Sequence, residues 1–229
     1  MLSDKPANQA AWGLPGVLDF FAERRGTSAE VYPSEWFFLK DRLKEGVSVL
    51  DIGCAQGGFA QVIAERIKTF RYVGADVNPE MIARGRARLP QHTFVRVHEG
   101  DFSALGMETF DLVLVLGILH LHETWRATLA AAWARTRDAL IFDLREWEGA
   151  TVADKTQSYM TMDFHCADAD HQAVRLPYIL LNAAEARRIV REICAGAARI
   201  DCHGYLHAPS GTAVTPAKQV TMNTWCAER

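Results

Sequence analysis

Apolar residues along this chain fall into short continuous runs separated by longer stretches of helical spacing. Ser34 to Glu45 reads SEWFFLKDRLKE; a serine cap with Trp36, Phe37 and Leu43 turned inward predicts a helix that Gly46 ends. VSVLDI (47–52) is an unbroken apolar run, as expected of a strand buried on both faces of a parallel sheet. From Gly57 to Lys68, Phe59, Val62, Ile63 and Ile67 recur at helical spacing. RYVGAD (71–76) predicts a second strand, and Pro79 suits the first turn of a helix running to about Leu89. TFVRVH (93–98) alternates as a third strand. FDLVLVLGIL (110–119) is the most apolar strand and belongs at the centre of the sheet. TWRATLAAAWARTRD (124–138) is an alanine-rich helix, and ALIFDLR (139–145) a fifth strand.

Strand and helix in alternation predict the α/β class: a Rossmann-like, doubly wound, mostly parallel sheet covered on both faces. Right-handed crossovers bring the strand C-termini to one rim, where ligands bind at the reversal of strand order. The rhythm breaks after Arg145. Residues 146–181 are too long and too aromatic for a linker, and predict an inserted substrate cap. Asn182 then caps a helix over 182–196, and 198–207 and 218–228 form a closing antiparallel pair. Residues 1–45 make a helical lead-in or lid, interrupted at Pro6, Gly13, Pro15, Gly16 and Gly26. The whole of 1–229 is expected to be one domain, without internal repeats.

Composition narrows the class. Apolar residues make up 49% of the 229 positions, enough for a sizeable core. A net charge of -3 carries no general attraction to nucleic acid. Arg84, Arg86 and Arg88 sit at alternate helical positions and cannot share a face. No run reaches the roughly 20 apolar residues of a membrane helix, and MLSDKPANQA lacks a signal peptide's apolar core. The five cysteines include no CxxC pair and read as reduced thiols of a cytoplasmic protein. No metal site is expected: His165, Cys166 and His171 lack ligand spacing, and Asp111 starts its strand, at the edge opposite Asp143.

Candidate chemistry begins at VLDIGCAQGGFA (49–60), where a strand turns into a helix through small residues that let backbone approach a ligand closely. Asp76 ends the second strand, 25 positions after Asp51, where an acid can accept two ribose hydroxyls. Asp51 itself would repel a pyrophosphate but suits an ammonium group. The third strand runs into Glu99-Gly100-Asp101-Phe102, in which Asp101 can accept from an adenine amine while Phe102 covers the ring.

With VLDIGCAQGGFA, VGADVNPEMIARGRARL, HEGDFSAL and FDLVLVLGILHLHE in this order, residues 35–145 resemble a class I S-adenosylmethionine-dependent methyltransferase of the small-molecule type. The resemblance implies a seven-stranded sheet with an antiparallel last strand, and S-adenosyl-L-methionine as cofactor. It implies that Asp51, Gly53, Cys54, Ala55 and Gly57 face the methionine part and that Asp76 binds ribose. Val77 and Met81 would then flank the adenine, Asp101 and Phe102 hold its edge, and Leu116 and Gly117 line the path to the methyl group. Ala55 departs from the glycine common there. RNA ribose methyltransferases share such a turn, but they need an Asp soon after strand four, where this chain has LGILHLHE.

The expected activity is methyl transfer to an oxygen or nitrogen of a small metabolite or sugar-like acceptor. His120, directly after strand four, is the first candidate base and His165 in the insert the second. His122, Glu123, Tyr159 and Asp163 are nearby candidates, and Tyr32 and Trp36 either close over the methionine end or pack. The alternatives are a nicotinamide oxidoreductase, which Asp51 disfavours, and a methyltransferase-like domain that binds without turnover. A homodimer through the N-terminal segment or the final hairpin is compatible with the sequence.

Overall fold

A computed structural model of the chain describes residues 11–162 and 174–229. The continuous apolar runs are its central strands: β1 (Val47–Ile52), β2 (Phe70–Asp76), β3 (Thr93–Arg96), β4 (Phe110–Val115) and β5 (Thr136–Trp147). They pair in parallel in the order β3-β2-β1-β4-β5. The closing strands are β9 (Arg199–His207) and β11 (Val220–Glu228). Last in sequence, β11 lies antiparallel between β5 and β9, completing the seven-stranded path. A two-residue strand, β8 (Leu181–Asn182), adds to the end of β5 and makes an eighth.

Helices cover both faces, each burying an apolar stripe on the sheet. α3 (Gly58–Ala64) buries Phe59, Val62 and Ile63, and α4 (Pro79–Arg88) buries Met81 and Ile82. α5 (Trp125–Ala134) and α6 (Ala183–Ile193) share the core cluster of Leu129, Phe142 and Ile189. Two shorter helices, α1 (Pro15–Glu23) and α2 (Pro33–Leu39), precede β1. Part of the insert forms β6 (Tyr159–Met162) and β7 (Val174–Pro177), which build a small sheet with β10 (Ala213–Val214) from the last loop.

Several expected boundaries move. Ser34 does not cap α2: Tyr32 holds that position, while Ser34 is buried and accepts the Thr224 hydroxyl at 2.9 Å. Phe37 is half exposed and stacks on His203 at 4.4 Å; Phe38 and Leu39 point inward instead. The alanine-rich helix stops at Ala134 and β5 begins at Thr136, because pairing along β4 and β11 extends that strand. β4 ends at Val115, short of the expected Leu119, since the following residues turn over the rim as a short 3-10 helix. Among the described residues, no helix is long and apolar enough to cross a membrane, and no group of three or more metal-ligating side chains converges.

Candidate functional site

A cavity opens at the reversal of strand order, outside the C-terminal ends of β1, β2 and β4. Its floor is the first βα turn, where Gly53, Ala55 and Gly57 have φ of 80°, 47° and 85°. Gly57 tolerates no side chain, because a Cβ there would meet the Phe94 ring at 2.7 Å. Ala55 holds a left-handed conformation that costs an L-residue about 1–2 kcal/mol. Its N–H donates to Asp76 Oδ2 at 3.0 Å, one of the bonds that holds it there.

Two carboxylates stand in the wall, Asp51 buried and Asp76 half-buried. Asp51 is 2% exposed and accepts the Tyr72 hydroxyl at 2.7 Å. Burial pushes its pKa up to about 7, against the Tyr72 hydrogen bond and the Arg25 charge. Asp76 accepts from Asn78 N at 2.8 Å as well as from Ala55 N, and burial raises its pKa despite these bonds. Each carboxylate oxygen keeps further lone-pair capacity for a ligand. Between and beyond them Val77, Met81, Phe102, Ile118 and Leu121 form an apolar slot. Its far end carries Glu99, which accepts the Thr124 hydroxyl at 2.8 Å and lies 3.6 Å from His122 Nδ1.

The N-terminal segment roofs the cavity with Trp12, Phe21, Arg24 and Arg25. Gln56 ties this roof to the turn by donating from its buried amide to Leu18 O at 2.6 Å. Arg25 takes φ of 60° just after α1. Its guanidinium bonds both oxygens of Glu35 at 2.8 and 2.6 Å and lies over the rings of Tyr32 and Phe59. Burial opposes the Arg25 charge, but Glu35 more than offsets it and the pKa is raised. Arg25 Nε is buried without a hydrogen-bond partner.

Of the residues the sequence proposed for the cofactor, Asp51, Gly53, Cys54, Ala55, Asp76, Val77, Met81, Phe102, Leu116 and Gly117 all line this cavity. Gly57 stands behind the turn as the N-cap of α3. Asp101 lies off the wall. A tight bridge to His98, with Gly100 at φ 77°, turns it outward to accept from Ser103 N at 2.9 Å, which holds its pKa low. Glu99, two residues earlier, enters the wall in its place. His120 is buried beside the cavity rather than in its wall, edge-on to Tyr178 at 5.4 Å. Burial lowers its pKa well below the usual histidine value. His122 does line the cavity. His165 and Asp163 fall outside the described residues.

Tyr32 flanks Arg25, whereas Trp36 packs under Arg66 at 4.9 Å, away from the cavity. Asp111 bonds Ser48 and Arg137 at the opposite edge of the sheet, as its position at a strand start predicts. Arg25 and Glu99 are the residues that sequence reasoning missed. Glu99 was visible within the quoted EGDF; the pairing of Arg25 with Glu35 had no local signal.

A family model described as a methyltransferase domain matches residues 49–141. Over 71 residues the chain is 34% identical to a trans-aconitate 2-methyltransferase of Variovorax paradoxus, covering 31% of this chain and 27% of that protein. An isonocardicin synthase of Nocardia uniformis is 32% identical over 111 residues, 44% of this chain and 35% of its own. The matched stretch thus spans about a third or less of these relatives. Among solved structures, a magnesium protoporphyrin IX methyltransferase from Synechocystis with bound SAM superimposes with a TM-score of 0.57 at 14% identity, covering 100% of this chain and 99% of that one.

Proposed function

We propose that this chain, which carries a class I methyltransferase domain, transfers a methyl group from S-adenosyl-L-methionine to an oxygen or nitrogen of a small molecule. The observation that supports this most is the wall itself. Two carboxylates at successive strand ends, Asp51 buried and Asp76 half-buried, stand apart from an acid-tipped apolar slot. This donor set suits a ligand with an ammonium at one end, a diol in the middle and an aminated aromatic ring at the other.

Asp51, with Gly53, Cys54 and Ala55 around it, would receive the amino-acid end, and Arg25 Nε, which lacks an acceptor in the protein, its carboxylate. Asp76 would hold the ribose. Val77, Met81 and Phe102 would flank the base, with Glu99 rather than Asp101 accepting from its amine. When bound, the cofactor supplies an electrophilic methyl carbon on a sulfonium. The protein's task is alignment: Leu116 and Gly117 shape the exit from the cavity toward the acceptor, and the N-terminal roof excludes water. Alignment alone is worth several kcal/mol, on the order of 7–11 in favourable systems. A carboxylate or neutral amine acceptor needs no strong base. For a hydroxyl acceptor, His120 and His165 are the candidate bases, though burial lowers the His120 pKa and weakens it in that role.

Calorimetric titration with S-adenosylhomocysteine tests this. Wild type should bind, and Asp76→Ala should lose more than about tenfold, on the scale of two charge-assisted hydrogen bonds. No binding by a wild type that is folded by circular dichroism overturns the proposal.

A further inference from the structure

Next to Gly117 stands a second group of polar side chains, drawn from four parts of the chain. The Gly117 N–H donates to Asp143 Oδ1, and Asp143 Oδ2 pairs with Arg145 Nη1. Both residues point to one face of β5, two positions apart, and both are buried. Tyr178, between β7 and β8, lies close enough to Arg145 to feel its charge. The His120 ring meets Tyr178 from the rim of β4, and its Nδ1 is buried without a partner. At the end of β9, His207 donates from Nδ1 to Ala208 O at 2.5 Å, leaving Nε2 buried without a partner. The Arg145 charge acts on both imidazoles. Tyr205 and Tyr32, 36% and 44% exposed, mark the solvent side.

Arg145 and Tyr178 are the donors of the group, while a neutral His207 that donates from Nδ1 presents Nε2 as an acceptor. Among the described residues of the group, both nearby carboxylates already have partners, Asp143 in Gly117 and Arg145, and Glu35 in Arg25. Burial raises the Tyr178 pKa against the pull of Arg145, and lowers that of both histidines. A planar guanidinium beside a phenol hydroxyl matches the paired oxygens of a carboxylate.

Resting on the methyltransferase proposal above, we infer that the methyl acceptor carries a carboxylate, which Arg145 and Tyr178 hold beside Gly117. His120 and His207 would offer the rest of the acceptor the ring nitrogens that lack partners in the protein alone. The arrangement makes Arg145 and Tyr178 determinants of acceptor specificity.

The experiment is calorimetry on the full chain saturated with S-adenosylhomocysteine. The probes are mono-, di- and tricarboxylates, trans-aconitate and tricarballylate among them, each against its uncharged amide. At least one acid should bind, with its amide at least about tenfold weaker. Arg145→Lys and Tyr178→Phe should each weaken the acid by about tenfold or more while leaving S-adenosylhomocysteine affinity unchanged. Tyr178→Phe keeps the test valid if the Arg145 variant fails to fold. Amides that bind as well as acids, no binding by any acid, or unchanged acid affinity in Tyr178→Phe overturns the inference. If S-adenosylhomocysteine itself does not bind, the methyltransferase proposal fails instead, so the two failures are distinguishable.

Discussion

Asp51 shows how one residue can carry both chemistry and a measurable pH dependence. Its carboxyl, pushed to about 7 by burial, would have to be ionised to meet the ammonium group that the proposed function assigns to it. Affinity for S-adenosylhomocysteine should therefore rise about tenfold from pH 6 to pH 8, as the ionised fraction grows. Titrations across that range check this, and Asp51→Asn should flatten the profile. The same shift bears on folding. Between 3.8 and about 7 the native state holds a proton that the unfolded chain has released. The Asp51 contribution to stability should fall as pH rises through that window and level off above it. Asp51 and Asp76 were legible in the sequence because each ends an apolar run, which puts it at the rim. The sequence does not distinguish Glu99 from Asp101, because the Gly100 turn that swaps their directions is a backbone event.

The elements were legible wherever periodicity was strong, and their ends wherever a cap had a local partner. Asn182 accepts from Ala184 N and Glu185 N and starts α6 as its sequence suggests. Asn182→Ala should cost about 1 kcal/mol in denaturant unfolding and leave S-adenosylhomocysteine affinity alone. Gly57 caps α3 from the left-handed region with Phe94 against it. Gly57→Ala should cost at least about 1–2 kcal/mol from backbone strain, and should also weaken S-adenosylhomocysteine because the turn above it shifts. A midpoint unchanged from wild type would refute the role assigned to that turn. The boundaries that moved did so for non-local reasons. β5 lengthens because β4 and β11 pair along it, and Ser34 is drawn inward by Thr224, 190 residues away.

At the scale of the whole molecule, a buried ion pair within the N-terminal segment joins the end of α1 to α2, over the cavity. Arg25 reaches over the cavity while Glu35, 0% exposed, anchors it. Arg25→Met leaves that carboxylate unpaired and should cost about 3–5 kcal/mol. The double variant Arg25→Met/Glu35→Gln should regain much of that stability, yet still bind S-adenosylhomocysteine more weakly. Chemical unfolding paired with calorimetry separates the two effects, and full recovery of affinity would remove Arg25 from the site. The sequence alone determined the α/β class, the mostly parallel sheet and the rim at which the cavity opens, because burial periodicity and crossover handedness are local or nearly local properties. Only the tertiary structure decided that Arg25 pairs with Glu35 over the cavity, that Glu99 replaces Asp101 in its wall and that Arg145, Tyr178, His120 and His207 meet beside Gly117. The last group joins segments far apart in the chain, the first two depend on backbone turns, and the energies of all three depend on burial that exists only once the sheet has formed.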